Sequence, residues 1–291
     1  MKKRIRKVIY YLLLGLIVLG VVGYFSAPHI FTALGVHPHY DLPDDLKVSG
    51  GRALVISTSH DTLGDSGKET GVFASEMTAP YYAFLDSGME VTVASVQGGE
   101  IPIDPSSFNW LLISDADKRF QKDETFQKAV KSSVSVADLN GADFDIVFLA
   151  GGWGAAYDMG TSLEVGRVVT EAWNANNVVG GVCHGPLGLL LATDESGEPL
   201  PKSRKLTAVS DRQVSQLGIG DTPQHPERDL RAAGAEYESS TAFYDFFANH
   251  VVRDGRLVTG QNQNSGTETA VMMMRVFEET AEGKDAGSEG N

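Results

Sequence analysis

The 291-residue chain is expected to be an α/β protein, a mostly parallel sheet covered by helices on both faces, preceded by one membrane-spanning helix. Three observations predict this. Short apolar runs alternate with segments of helical periodicity, the pattern of parallel strands buried on both faces. An uncharged run from Val8 to Phe25 follows a basic start. The only cysteine, Cys183, stands in "GGVCHGPLG" between a strand-like run and a helix-like one, in the G-x-C-x-G form of a nucleophile elbow.

The N-terminus comes first. "MKKRIRK" carries Lys2, Lys3, Arg4, Arg6 and Lys7, and the run behind it would rise about 27 Å as a helix, close to the hydrocarbon thickness of a bilayer. Tyr10, Tyr11, Tyr24 and Phe25 sit near its ends, where interfacial aromatics belong. Ala27 offers a cleavage site, but Pro28 directly after it is a poor context for one, so an uncleaved anchor is expected. The expected order is a cytoplasmic basic segment at 1–7, a transmembrane anchor at 8–27 and a connector at 28–51 holding Pro28, Pro38 and Pro43. An α/β domain at 52–280 and a disordered polar tail at 281–291 follow. The positive-inside rule places the C-terminal domain on the extracytoplasmic side, as a single-pass membrane protein.

The formal net charge is −14, which argues against nucleic acid as a partner. Setting aside the five N-terminal charges leaves 19 Lys+Arg against 38 Asp+Glu, about −19, so the domain is not expected to lie on anionic lipid and is held by the anchor alone. One cysteine excludes an intrachain disulfide and any multi-cysteine zinc site. The seven histidines show no compact ligand spacing, so neither a metal nor a cofactor is expected. Nothing in the sequence fixes the oligomer, and a homodimer stays open.

Along the domain, "ALVIST" (53–58), "MEVTVASV" (89–96), Ile146–Ala150, "VVGGVC" (178–183) and "KLTAVS" (205–210) read as strands. Val251-Val252 and Leu257-Val258 flank Asp254-Gly255 as a hairpin. Helices are expected in "TGVFASEMTAPYYAFLDSG", "VGRVVTEAWNANN", "HGPLGLLLA", "DRQVSQLG", "ERDLRAAGAEYE" and "GTETAVMMMRVFEET". The segment 100–142 is irregular and reads as a lid or as surface decoration.

Cys183 therefore ends a strand and precedes a helix whose N-terminal dipole would lower the thiol pKa. The bland reading is a small buried residue in a glycine-rich strand; the glycine spacing and adjacent His184 favour a nucleophile. "LAGGWG", after the Ile146–Ala150 strand, puts Gly151, Gly152 and Trp153 at the same sheet edge. The N–H groups of Gly152 and His184 would make an oxyanion site there, unless the turn merely needs glycine. Glu76, in "FASEMTAP", is either a desolvated carboxyl sharing a proton with the thiol or an exposed helix glutamate. His225-Pro226-Glu227 matches the H-P-E string of class I glutamine amidotransferases. It stands in a Pro-rich loop where a helix starts, so His225 is set aside as the triad histidine.

"STSHDTLGDSGKETGVFASEMTAPYYAF", "SVQGGEIPIDPSS", "FLAGGWGAAYDM", "GGVCHGPLGLL" and "GRLVTGQNQNS" together resemble the ThiJ/PfpI superfamily, in particular its branch of glyoxalase III and heat-shock chaperones, over 52–278. The resemblance implies a flavodoxin-like three-layer sandwich, a strained elbow at Cys183, Glu76 touching the thiol, and His184 as its triad neighbour. It also implies a small 2-oxoaldehyde substrate, methylglyoxal, converted to lactate without glutathione or metal. Repair of glycated proteins and holdase activity are claimed for relatives, and a thiol hydrolase or a redox-sensing stress protein stays open as an alternative. The chain departs from the pattern where Trp153 replaces a usual histidine, and where Arg212 and Gln213 fill positions at which glutamates are common. The resemblance implies that the acid orienting His184 lies just after the 205–210 strand, where Asp211 is the nearest carboxylate. The anchor is also foreign to the family's cytosolic habit.

Overall fold

In the first strand of the domain, successive side chains leave on opposite sides: Ala53 and Val55 enter one apolar cluster, Leu54 and Ile56 another. All four are fully buried, as a strand covered on both faces requires. The computed structural model describes residues 2–34, 37–46, 48–219, 222–241, 245 and 248–288. Its elements in chain order are α1 (Lys2–Ala33), β1 (Arg52–Ser57), β2 (Thr62–Leu63), β3 (Lys68–Glu69), α2 (Ala74–Asp86), β4 (Glu90–Ser95), α3 (Asp115–Phe120) and α4 (Glu124–Lys131). Then come β5 (Val134–Ser135), β6 (Ile146–Leu149), α5 (Ala155–Asp158), α6 (Leu163–Asn174), β7 (Val178–Val182), β8 (Lys205–Leu206) and α7 (Asp211–Gln216). The chain closes with α8 (Pro226–Ala232), β9 (Glu236–Tyr237), β10 (Val251–Asp254), β11 (Leu257–Gly260) and α9 (Gly266–Ser288).

The main sheet runs β10-β11-β7-β6-β1-β4-β5. Every pairing is parallel except the β10–β11 hairpin, which turns at Asp254-Gly255 with Gly255 at φ 59°. Gly180 is demanded by the sheet, because a Cβ there would collide with the Val258 carbonyl of β11. One face is covered by α2 and α9, whose Met77, Phe84, Met273 and Met274 pack on Val55 and Phe148. The other is covered by α6 and the turns near it, through Val165, Val168, Val169 and Leu187 against Leu54, Val147 and Leu149. Three layers result, a flavodoxin-like α/β sandwich with a mostly parallel sheet.

Five expectations are corrected. The first helix passes Pro28 and ends at Ala33, so the first residues of the connector are helical; proline's fixed φ is helical, and Thr32 Oγ1 donates to the Pro28 carbonyl at 3.0 Å. The segment 100–142 is neither lid nor decoration for most of its length. It forms α3, α4 and the edge strand β5, with Phe126 fully buried and stacked on Tyr81 at 3.5 Å. The 205–210 run is a strand only to Leu206 and pairs with β9 outside the main sheet. Behind Cys183 there is a short 3-10 turn, Gly185–Leu189, and no α-helix. Gly185 and Gly188 are poor helix formers, and the stretch is too short to offset nucleation. Finally, α9 continues to Ser288 where a disordered tail is expected from 281, since extending a docked helix costs far less than starting one; residues 289–291 lie outside the described residues.

Candidate active site

The elbow is built from hydrogen bonds and close approaches. The Cys183 N–H donates to the Gly260 carbonyl at the end of β11 (3.1 Å), and the Cys183 carbonyl accepts from the Val209 N–H (3.0 Å). Pinned on both sides, Cys183 sits at φ 60°, a left-handed conformation that an L residue adopts at a cost of about 1–2 kcal/mol. The flanking glycines are steric requirements. A Cβ at Gly181 or at Gly185 would run into the carbonyl of Leu149 on β6.

Three side chains meet at this turn. Glu76, in the first turn of α2, is 1 % exposed, which decides between its two readings in favour of desolvation. Burial pushes its carboxyl up to about 8; the charge of Asp104 acts in the same direction, and a hydrogen bond with Cys183 acts against it. The Cys183 thiol is likewise pushed well above its ordinary value, by burial first and then by the charge and hydrogen bond of Glu76. The backbone N–H groups of Gly152 and His184 pull it back down. The expected helix dipole is absent, and its place is taken by these two N–H groups directed at sulfur. A buried carboxyl and thiol in contact do not ionise together, so the pair carries at most one negative charge and titrates as a unit.

His184 is buried, with Nδ1 3.4 Å from the Cys183 Sγ. Burial, reinforced by His225, holds its imidazole down at about 3, so it is neutral at physiological pH. Its Nε2 has no hydrogen-bond partner among the described residues. Trp153 packs on the same ring at 4.8 Å between centroids, tilted by 53°. Gly151 and Gly152 follow β6 into the site. A Cβ on Gly151 would come to 2.5 Å from the Glu76 Oε2 and 2.7 Å from the His184 nitrogen, and Gly152 has φ 113°.

Asp211 is not brought onto His184. As the first residue of α7 its side chain is half exposed, and its nearest ionic partner is His225, whose Nδ1 lies 3.7 Å away. The physical reason is the helix start: Ser210 caps α7, which turns the Asp211 carboxylate outward, toward the loop before α8. His225, set aside on the sequence, thus stands beside Asp211 and acts on the His184 imidazole. The H-P-E string was the signal. Gln263 was also missed, and Gln213, noted on the sequence only as a departure from the pattern, belongs to the site; both are almost fully buried and line it. Among the described residues no group of three His, Cys, Asp or Glu side chains is placed to hold a metal ion.

Cys183, His184 and Glu76 open into a chamber of about 260 Å³ walled mainly by Phe73, Leu112, Trp153, Val209, Leu217 and Ile219. The DJ-1/PfpI family pattern matches residues 69–275. The chain belongs to the DJ-1/PfpI family. As a member it is 30 % identical over 233 residues to Glyoxalase 3 of Candida albicans, an alignment covering 77 % of this chain and 97 % of that protein. It is 28 % identical over 226 residues to the glutathione-independent glyoxalase HSP31 of Saccharomyces cerevisiae, covering 75 % and 94 %. The crystal structure of glyoxalase III from Candida albicans superposes with a TM-score of 0.72 at 29 % identity, over 78 % of this chain and 97 % of that one. The Rapid Encystment Protein 24 KDa of Francisella tularensis gives 0.73 at 30 %, over 78 % and 99 %. The family match starts after α1, so this DJ-1/PfpI member carries an N-terminal apolar helix ahead of the matched region.

Proposed function

We propose that this DJ-1/PfpI protein is a membrane-anchored, glutathione-independent glyoxalase that converts methylglyoxal to lactate with Cys183 as its thiol. The observation that carries the reading is Cys183 at φ 60° on the floor of a deep chamber, with Glu76 and His184 against its sulfur. The relatives named as glyoxalases, one of them as a glutathione-independent glyoxalase, support the reaction.

The chemistry follows from what each group can do. The Cys183 sulfur adds to the aldehyde carbon, and the proton shared with Glu76 passes to the new hydroxyl, giving a hemithioacetal. Neutral His184, whose Nε2 has no hydrogen-bond partner among the described residues, takes the proton from the former aldehyde carbon; the electron pair moves through an enediol. Return of a proton to the neighbouring carbon gives the lactoyl thioester, which water cleaves to lactate and free thiol. The N–H groups of Gly152 and His184 stabilise the oxygen charge that develops in each addition. The cysteine supplies the thiol that glutathione would otherwise bring.

The anchor is part of the same reading. The α1 helix is apolar and long enough to cross a bilayer, its apolar stretch is exposed, and its first residues carry the five basic charges from Lys2 to Lys7. That supports a cytoplasmic N-terminus and an extracytoplasmic domain. The test is lactate formation from methylglyoxal by the detergent-solubilised full chain without glutathione. Wild type is expected to exceed Cys183→Ala by at least a thousandfold in kcat/KM; equal rates would sink the proposal.

A further inference from the structure

The walls of the chamber say more about its substrate than its floor does. The floor is polar and deeply buried: Glu76 and His184 are 1 % exposed, and Cys183 is 6 %. Toward the rim the lining changes to Leu112 and Ile219, both partly buried, and Leu217, which is 40 % exposed. Trp153 stands between the two, touching His184 on one side. Among the described residues neither lysine nor arginine lines the chamber and Glu76 is the one carboxyl, so none of them pairs with a carboxylate or phosphate on the substrate.

Size points the same way. A water takes about 30 Å³ of liquid volume, so about 260 Å³ has room for several more such volumes than the roughly four that methylglyoxal fills. A substrate bearing only a methyl group would leave Leu112, Leu217 and Ile219 facing water. A longer apolar substituent would cover them, at about 25 cal/mol for each Å² removed from water.

We propose that the site takes 2-oxoaldehydes whose substituent is an apolar chain longer than methyl, seated against Trp153, Leu112, Leu217 and Ile219. The inference rests on the glyoxalase reading and specifies its substrate class. The reaction is unchanged: R–CO–CHO and water give R–CHOH–COOH, the aldehyde carbon being oxidised and the ketone carbon reduced within one molecule. The chain R touches no reacting atom. Its contacts are the same in the ground state and the transition state, so they act on KM and leave kcat nearly constant.

The experiment compares methylglyoxal, propylglyoxal and pentylglyoxal with the detergent-solubilised full chain, without glutathione, measuring the 2-hydroxy acid formed. KM is expected to fall up to about fourfold for each methylene that becomes fully buried. Trp153→His and Leu217→Ser are each expected to flatten the series; Leu217 lies at the exposed rim, so its replacement leaves the core intact. A KM that is flat or rises with chain length overturns the proposal while Cys183-dependent turnover of methylglyoxal keeps the glyoxalase reading. A slope that survives both variants also overturns it, because the chain then lies elsewhere. Turnover of the whole series by Cys183→Ala at the wild-type rate would remove the glyoxalase reading itself.

Discussion

Glu76 shows how one buried carboxyl shapes both stability and chemistry. Its carboxyl is held at about 8 in the folded protein, above the ordinary value of 4.5, and burial is the main cause. A group whose pKa is raised on folding contributes fully below its unfolded pKa, and that contribution is lost as pH rises through the folded one. The wild-type protein is therefore expected to lose stability steadily from about pH 5 to pH 8. Glu76→Gln cannot ionise and should show a flatter profile, with the gap in Tm between the two shrinking or reversing toward pH 8. Alkylation of Cys183 provides the companion readout, since the coupled pair should titrate in two steps in the wild type and in one in Glu76→Gln. An unchanged profile in both measurements would mean that Glu76 and Cys183 do not share a charge.

Among the elements, residues 37–46, between α1 and β1, behave as a strap. His39 Nε2 pairs with Glu268 on α9 at 2.9 Å, and the His39 carbonyl accepts from Thr267 Oγ1 at 2.6 Å. Tyr40 donates to the Tyr82 carbonyl of α2 (3.0 Å) and to Asp86, which Arg119 also grips with two hydrogen bonds while lying over the Tyr82 ring. The strap thus crosses α2, the helix that carries Glu76. The hydrogen bond to Glu268 raises the His39 pKa, so the pair stabilises below the ordinary imidazole value and is lost as pH climbs past the raised one. The His39→Gln variant is expected to be less stable than wild type at pH 6 by at most about 1 kcal/mol, the pair being partly exposed, and equal to it at pH 9. Chemical denaturation at the two pH values would show it.

None of that strap was legible in the sequence, because its contacts are tertiary and follow no period. The strands were legible, since Leu54, Val147 and Val179 belong to runs that are apolar throughout, the mark of burial on both faces. The site was legible where chemistry and local backbone coincide. Cys183 with its two glycines and the Gly151-Gly152 turn are local signals, and Glu76 was in view though its burial was not. Asp211 failed because its direction depends on the Ser210 cap. His225 was passed over because the H-P-E string marks the residue but not its neighbours, and its closeness to Asp211 is a tertiary contact.

For the whole molecule, the acidic domain and the basic, apolar N-terminus divide the chain into two unlike parts. Tyr24 of α1 stacks on Trp110 at 3.9 Å, and the loop bearing Trp110 also sends Leu112 to the chamber wall. Under the proposed anchoring, with aromatic side chains favoured at the membrane interface, the chamber would open close to the bilayer surface. The full chain is expected to stay with membranes through an alkaline wash and to leave them only in detergent. Protease added outside intact cells should remove the domain and spare the N-terminus. Release by the wash would contradict the anchor, and complete protection from protease would contradict the proposed sidedness of the domain.

The contact between Trp153 and His184 has an optical consequence. The chain has three tryptophans, and Trp153 is the one whose indole lies against the reacting groups. Its emission should report whatever enters the chamber or changes the charge of the imidazole beside it. With Trp110 and Trp173 replaced by phenylalanine, the protein would carry its own fluorescent gauge of site occupancy, and binding could be followed before any bond is made.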